Sequence, residues 1–258
     1  MERFSRTRSL LGEEKFAVLQ RARVTIVGLG AVGGYACEGL ARAGVGQLRL
    51  VDFDTIQTSN INRQILALES NIGRAKVEAA RLRIKQINPD CQVEALEIFA
   101  GEDTLDNILT PEPDVIIDAI DSLNPKIQLL VGAHSRGIAT FSSMGAALRT
   151  DPLQVRSGDI MSSHRCPLAK HVRNRLRRHG IEGGIQCVYS TEAVTFTYTG
   201  PEENDEMANP YEKRGRKRNV LGSLPTLTGI FGLTLANMVI LHLTEAPESS
   251  GQQLSTRS

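Results

Sequence analysis

The chain has 258 residues, of which 41% are hydrophobic and 23% charged, enough apolar material to fill the core of one large domain. Lys plus Arg is 30 against 29 for Asp plus Glu, and the resulting net charge of +1 excludes a uniformly basic nucleic-acid binder while leaving room for a local basic patch. Four cysteines without a CxxC pair argue against a disulfide framework and against zinc.

The N-terminus has no continuous apolar stretch to read as a signal peptide, so a reduced, cytoplasmic enzyme is the expectation. Residues 12–21 read as a short leading helix. Arg23–Val27 reads as a buried first strand, and residues 31–43 as the helix after it, stopped by Gly44. Gln47–Val51 is a second strand, 73–88 a long helix ended by Pro89, 93–98 a third strand and 114–118 a fourth. Residues 123–136 read as helix and 138–143 as strand. This alternation predicts an α/β fold, a Rossmann-like, doubly wound and mostly parallel sheet wrapped by helices.

Beyond residue 145 the alternation decays. Residues 145–158 read as an antiparallel pair turning at Asp151-Pro152, 168–178 as a strongly basic helix, and 185–198 as strand. Residues 199–219 join an acidic cluster (Glu202, Glu203, Asp205, Glu206) to a basic run and read as a mobile loop. Residues 220–244 hold no Lys, Arg, Asp or Glu, which meets the length criterion for a membrane span. Pro225, Asn237 and His242 are poorly lipophilic, however. Leu224, Leu227, Phe231, Leu235 and Met238 recur at helical spacing, so a buried C-terminal helix is preferred and membrane association is the minority reading. One domain is expected over 1–244, with a nucleotide-binding core at about 22–145, a substrate-facing part at 146–244 and a disordered tail at 245–258.

The segment Gly28-Leu29-Gly30-Ala31-Val32-Gly33 follows the first strand and opens a helix, the context in which such a glycine pattern binds a nucleotide. Gly28 permits the tight turn, Gly30 admits phosphate to the backbone, and Gly33 lets helix and strand pack closely. Asp52 ends the second strand, where a carboxylate can hold ribose hydroxyls, with Asp54 beside it. The pattern alone does not separate NAD, FAD and ATP. Arg63 and Lys76 then add cations after the sheet's carboxyl edge, and Asp118 and Asp121 add acids at the end of the fourth strand. Hydride transfer has no need of that gathering. A triphosphate with Mg²⁺ does, since cations neutralise phosphates while a carboxylate holds the metal.

The ordered set GLGAVG, DFD, SNINRQ, GRAKVEAA, INPDC and IDAIDS resembles the ubiquitin-activating-enzyme-like superfamily of ATP-dependent adenylating enzymes over residues 3–145. The resemblance implies that Asp52 holds the ATP ribose, that Asn60, Arg63 and Lys76 contact the phosphates, and that Asp121 handles Mg²⁺. It implies too that Arg6 reaches the ATP site of a second subunit, hence a homodimer. Residues Asp151-Pro152-Leu153, Gly158-Asp159-Ile160, Pro167-Leu168-Ala169 and Val188-Tyr189-Ser190-Thr191-Glu192 resemble the tRNA threonylcarbamoyladenosine dehydratase branch. Such enzymes close the threonylcarbamoyl side chain of an adenosine next to the anticodon into a ring. One departure is visible: Cys166 stands where that branch is expected to have Asp. The alternative within the superfamily is an adenylyltransferase that activates a small sulfur-carrier protein. The resemblance also leaves room for a cysteine-desulfurase and sulfur-acceptor system as partner, and for a monovalent cation near the nucleotide.

Residues 165–179 carry six Lys or Arg and no acid. Lys170, Arg173, Arg175, Arg177 and Arg178 suit a phosphate backbone, as do Arg214, Arg216, Lys217 and Arg218 on the expected loop. The plain alternative is a solvated helix face and a basic linker. Cys37, Cys91 and Cys187 read as core residues. A covalent role for Cys166, next to His164 and Arg165, is the minority reading.

Overall fold

The computed structural model describes residues 2–194 and 221–245. Its frame is a seven-stranded sheet built from β1 (Arg23–Val27), β2 (Gln47–Val51), β3 (Gln92–Leu96), β4 (Val115–Asp118), β5 (Ala139–Ser143), β6 (Val155–Asp159) and β7 (Ile185–Ser190). The strand order is β3-β2-β1-β4-β5-β7-β6, and every pair is parallel except β6 with β7. Parallel strands need both faces covered, which is why they read as continuous apolar runs. Alternate residues go to opposite faces. Val24, Ile26, Val115 and Ile117 enter one cluster, while Val27, Val51 and Ile116 enter another.

The helices that supply those clusters are α1 (Ser5–Leu11), α2 (Glu13–Arg21), α3 (Gly33–Ala43), α4 (Lys76–Ile87), α5 (Leu105–Leu109), α6 (Leu123–Ser135), α7 (Pro167–Arg178) and α8 (Pro225–Thr244). Side chains of α2, α3, α4 and α8 fill the first cluster, and those of α5 and α6 fill the other face. A third cluster joins α6 and α7 to Cys187 and Tyr189 of β7.

Two short helices have no counterpart in the sequence pattern, and one expected pairing is corrected. The leading helix is preceded by a second one, α1, separated from it by Gly12 at φ 83°. The five-residue α5 is too short to show a period. Residues 145–158 do not pair with one another. Asp151 instead caps a 3₁₀ turn by accepting from Leu153 N at 2.9 Å, and the strand that follows pairs with β7. The strand expected over 185–198 ends at Ser190, with residues 191–194 irregular; the rest of that expectation, the loop at 199–219 and the tail beyond Glu245 lie outside the described residues.

Helix α8 is long and apolar enough to cross a membrane, yet one side of it packs as a core element. Leu227, Phe231, Leu235 and Val239 are buried in the main cluster. A Cβ on Gly232 would fall 2.3 Å from the carbonyl oxygen of Val32, and one on Gly39 would fall 2.8 Å from Cβ of Ala236. Small residues at these crossings let α8 lie directly on α3, the helix that follows the glycine turn.

The order of strands creates the site. The chain runs outward through β1, β2 and β3 and then returns to the far side of β1 as β4. Such a reversal leaves a crevice at the carboxyl ends of β1 and β4. Val27 pairs with both Val51 and Asp118, so the loops starting at Gly28, Asp52 and Ala119 leave the sheet side by side.

Candidate active site

The three glycines of the turn do three different things. Gly28 sits at φ 91°, where a side chain is strained, and a Cβ there would lie 2.8 Å from the carbonyl oxygen of Ala119. A Cβ on Gly33 would meet the carbonyl oxygen of Gly28 at 1.8 Å. Beside Gly30 nothing among the described residues lies within 4 Å of the place a Cβ would occupy. The turn is therefore closed on two sides and open at Gly30, where Ala31 and Val32 lead into α3. Unpaired N–H groups and the positive end of the helix dipole favour an anion there.

Asp52 is buried beneath this turn. One carboxylate oxygen accepts from Leu29 N at 2.6 Å and the other from Asp54 N at 2.8 Å. Burial pushes its carboxyl above the ordinary aspartate range, against the pull of Lys76 and of these two backbone donors. Lys76, the first residue of α4, is also buried. Its Nζ lies 2.9 Å from Oδ2 of Asp54 and 4.0 Å from Oδ1 of Asp52. The ammonium is thus held in place by two acids at the carboxyl end of β2.

The 3₁₀ turn at Thr58–Asn60 presents the next polar groups. Asn60 caps that turn through Oδ1, accepting from Gln57 N at 3.1 Å, and its amide N–H₂ remains to donate. Arg63 places one guanidinium nitrogen on Ser59 O at 2.9 Å and on Oδ1 of Asn62 at 3.0 Å, and among the described residues the rest of its planar fork stays available. Next to it Gln64 is buried with its Oε1 unpartnered, a polar group that sequence reasoning passed over.

Asp121 lies on the exposed loop between β4 and α6, where Ser122 Oγ donates to it at 3.3 Å. Among the described residues no three His, Cys, Asp or Glu side chains gather into a protein-only metal cage. Magnesium is ordinarily held by one or two carboxylates together with phosphates and water. Asp121 is a hard oxygen donor at the crevice and fits an ion that arrives with a nucleotide.

Two further residues at this edge were not visible in the sequence as a pair. Lys126 and Asp118 are both fully buried, and their charged atoms are 2.6 Å apart. Lys126 also donates to Ser143 O at 3.0 Å, and Ser142 Oγ donates to Asp118 at 2.6 Å.

Helix α7 carries the basic face. Ala169, Val172 and Leu176 are buried at spacings of one helical side, while Lys170, Arg175, Arg177 and Arg178 are exposed. Arg173 donates to Ser163 Oγ at 2.6 Å, and Arg175 to Asn124 Oδ1 at 3.3 Å. Among the described residues none of these cations is paired with a carboxylate. Asn124 belongs to the first turn of α6, so Arg175 ties the basic face to the loop that carries Asp121. Arg214, Arg216, Lys217 and Arg218 lie outside the described residues.

The cysteines are buried thiols. Burial pushes Cys187 up to about 12 and Cys91 up to about 11. Cys166 precedes α7 at its N-cap position and is buried in the third apolar cluster, a poor setting for a covalent partner.

Arg6 is exposed on α1 and makes no hydrogen bond or ion pair among the described residues. The segment before it is anchored at the opposite edge of the sheet. Phe4 stacks on Phe16 with centroids 5.6 Å apart, and Arg3 donates to Ile87 O at the end of α4.

The profile of the ThiF family matches residues 4–257 of this chain. A tRNA threonylcarbamoyladenosine dehydratase of Bacillus subtilis is 36% identical over 243 residues, covering 94% of this chain and 95% of that protein. The crystal structure of the Escherichia coli tRNA N6-threonylcarbamoyladenosine dehydratase in complex with ATP superposes with a TM-score of 0.82 at 32% identity, covering 94% and 93% of the two chains. A molybdopterin-synthase adenylyltransferase of Haemophilus influenzae is 36% identical over 140 residues, 54% of this chain and 55% of its own.

Proposed function

The chain belongs to the ThiF family, and from that premise we propose that it is an ATP-dependent tRNA threonylcarbamoyladenosine dehydratase. It closes the threonylcarbamoyl group of the modified adenosine next to the anticodon into a ring. The free carboxylate of that group is a poor electrophile, because its leaving group would be oxide. Its oxygen attacks the α-phosphorus of ATP and pyrophosphate leaves. The ureido group of the same side chain then attacks the activated carbonyl, AMP departs with the carboxylate oxygen, and the ureido proton is lost. Attack within one side chain has a high effective molarity, so the protein mainly positions and neutralises charge.

Each task falls to residues already placed. The open side of the turn at Gly30 takes a phosphate, and Asp52 offers its remaining lone pairs to the ribose. Lys76, Arg63 and Asn60 stabilise the charge that gathers on the phosphates as pyrophosphate leaves. Asp121 would hold Mg²⁺, which when bound neutralises phosphate oxygens. Arg6 would complete the site of a second copy. Its segment is fastened at the sheet edge remote from its own crevice, and α8 leaves Leu233 and Leu241 exposed, an apolar surface that a homodimer would cover.

One observation separates a tRNA from a carrier protein as the acceptor. The acid-free face of α7 is joined through Arg175 and Asn124 to the Asp121 loop, so a phosphate track leads into the crevice. The similarity to dehydratases also runs through this half, whereas that to the adenylyltransferase covers about half of the chain. Ring closure itself moves no sulfur, so a cysteine-desulfurase and sulfur-acceptor system would act as an accessory partner rather than as the source of a reacting atom. The test is to incubate the pure protein with ATP, Mg²⁺ and tRNA bearing threonylcarbamoyladenosine and to analyse the nucleosides by mass spectrometry. Loss of one water from the modified adenosine is expected. An unchanged nucleoside, with pyrophosphate exchange that depends on a carrier protein, would establish the adenylyltransferase instead.

A further inference from the structure

The buried pair of Lys126 and Asp118 lies outside every role assigned above. Both side chains have no exposure at all. Their hydrogen bonds are fully used: Lys126 Nζ donates to Asp118 Oδ2 at 2.6 Å, to Ser143 O at 3.0 Å and to Ser142 Oγ at 3.4 Å. Asp118 Oδ2 also accepts from Ser142 Oγ, and its Oδ1 accepts from Ile120 N at 3.1 Å. A buried ion pair is an inefficient way to stabilise a fold, since apolar residues of similar volume usually do as well or better. What it supplies is a fixed geometry.

Asp121 lies in the segment of chain that this pair spans. Residues 118–126 run from the last residue of β4 to the first turns of α6, and the ion pair closes the run into a ring. Within the ring, the bond from Ile120 N shapes the turn immediately before Asp121. The backbone of Ala119 in the same ring packs against Gly28, and Ala119 N donates to Val27 O at 2.8 Å. The bonds to Ser142 and Ser143 fasten the ring to β5. An exposed carboxylate on a short loop is thereby held by a dry, fully satisfied network one layer below it.

We propose that Lys126 is a positioning residue that, through Asp118, sets the carboxylate of Asp121 for the magnesium–nucleotide complex. The inference rests on the proposed ATP chemistry. The experiment measures ATP binding by calorimetry, without tRNA, across a Mg²⁺ titration. It compares the wild-type chain with Lys126→Met and with the double variant Asp118→Leu/Lys126→Met. Thermal melts of the same proteins report the fold. The double variant removes both charges, so it is expected to melt near the wild type even if Lys126→Met alone, with Asp118 left buried and unpaired, does not fold. Its half-saturating Mg²⁺ is expected to rise by about tenfold or more, the usual effect of losing a partner one layer behind a metal ligand. Wild-type Mg²⁺ dependence in a well-folded double variant would overturn the proposal. If the wild-type chain itself binds no ATP, the ATP reading fails first and carries this one with it.

Discussion

Gly30 and Gly33 stand three residues apart and carry opposite obligations. A methyl group on Gly33 would overlap the Gly28 carbonyl, so Gly33→Ala is expected to lower unfolding stability by about 3 kcal/mol or more in denaturant titration. A methyl group on Gly30 meets nothing among the described residues, so Gly30→Ala is expected to melt within about 0.5 kcal/mol of the parent. It fills the space a phosphate needs, however, and ATP affinity measured by calorimetry should fall about tenfold or more. Equal ATP affinities for Gly30→Ala and the parent would show that the anion sits elsewhere. At this scale much of the site is legible from type and spacing alone, because a glycine turn after a strand has few physical uses. Gln64 and Lys126 are not legible in that way. A glutamine in a polar stretch, and a lysine in the first turns of a helix, look like solvated residues until the packing buries them.

At the scale of elements, the position of α3 decides whether the turn presents its N–H groups to a ligand. Two contacts hold the helix. On one side, a Cβ on Gly232 would press on Val32 O at the start of α3, so Gly232→Val is expected both to destabilise the fold and to weaken ATP binding, although residue 232 is no part of the crevice. On the other, Glu38 of α3 binds Arg42 of its own helix and Arg83 of α4. Burial of Glu38 pushes its carboxyl up, but the hydrogen bonds and charges of Arg83 and Arg42 outweigh that and hold it below the ordinary glutamate range. A carboxyl depressed in the folded state adds stability above its unfolded pKa of 4.5 and loses it as pH falls through the lower folded value. Glu38→Gln is therefore expected to cost about 1–2 kcal/mol at neutral pH, discounted because both arginines are partly solvated, and to lessen the acid-side fall in melting temperature. A variant whose melting temperature tracks the parent at every pH would refute this. Elements with a long apolar period, such as α8, and β-branched strands such as β1 and β4, are readable from the chain. The short α1 and α5, and the pairing of β6 with β7, are not. Their positions are set by partners distant in sequence and by the Asp151 cap.

At the scale of the whole molecule, the basic face and the crevice are separable. Reversing Lys170, Arg177 and Arg178 to Glu touches no buried residue and no side chain near the glycine turn. ATP affinity should stay unchanged while tRNA affinity falls, and the slope of log K against log salt should shrink by about 2 for three lost phosphate contacts. A slope equal to that of the parent would assign the tRNA to another surface.

If Arg6 serves the neighbouring site while Lys76 serves its own, each active site draws on two chains. Arg6→Ala and Lys76→Ala homodimers should then both be inactive, for different reasons. In a mixed dimer both defects fall on one site, and the other site has its Lys76 and receives an intact Arg6. Unfolding and refolding the two variants together at equal amounts makes half of the dimers mixed, each with one whole site. The expected activity is about a quarter of the parent, measured by ring closure in tRNA, against almost none for either variant alone. Were Arg6 to act on its own chain's nucleotide, every site in the mixture would lack one residue and no activity would return. The fastening of residues 3 and 4 favours the first outcome, because it holds the start of α1 against Phe16 and the end of α4, at the sheet edge opposite the crevice.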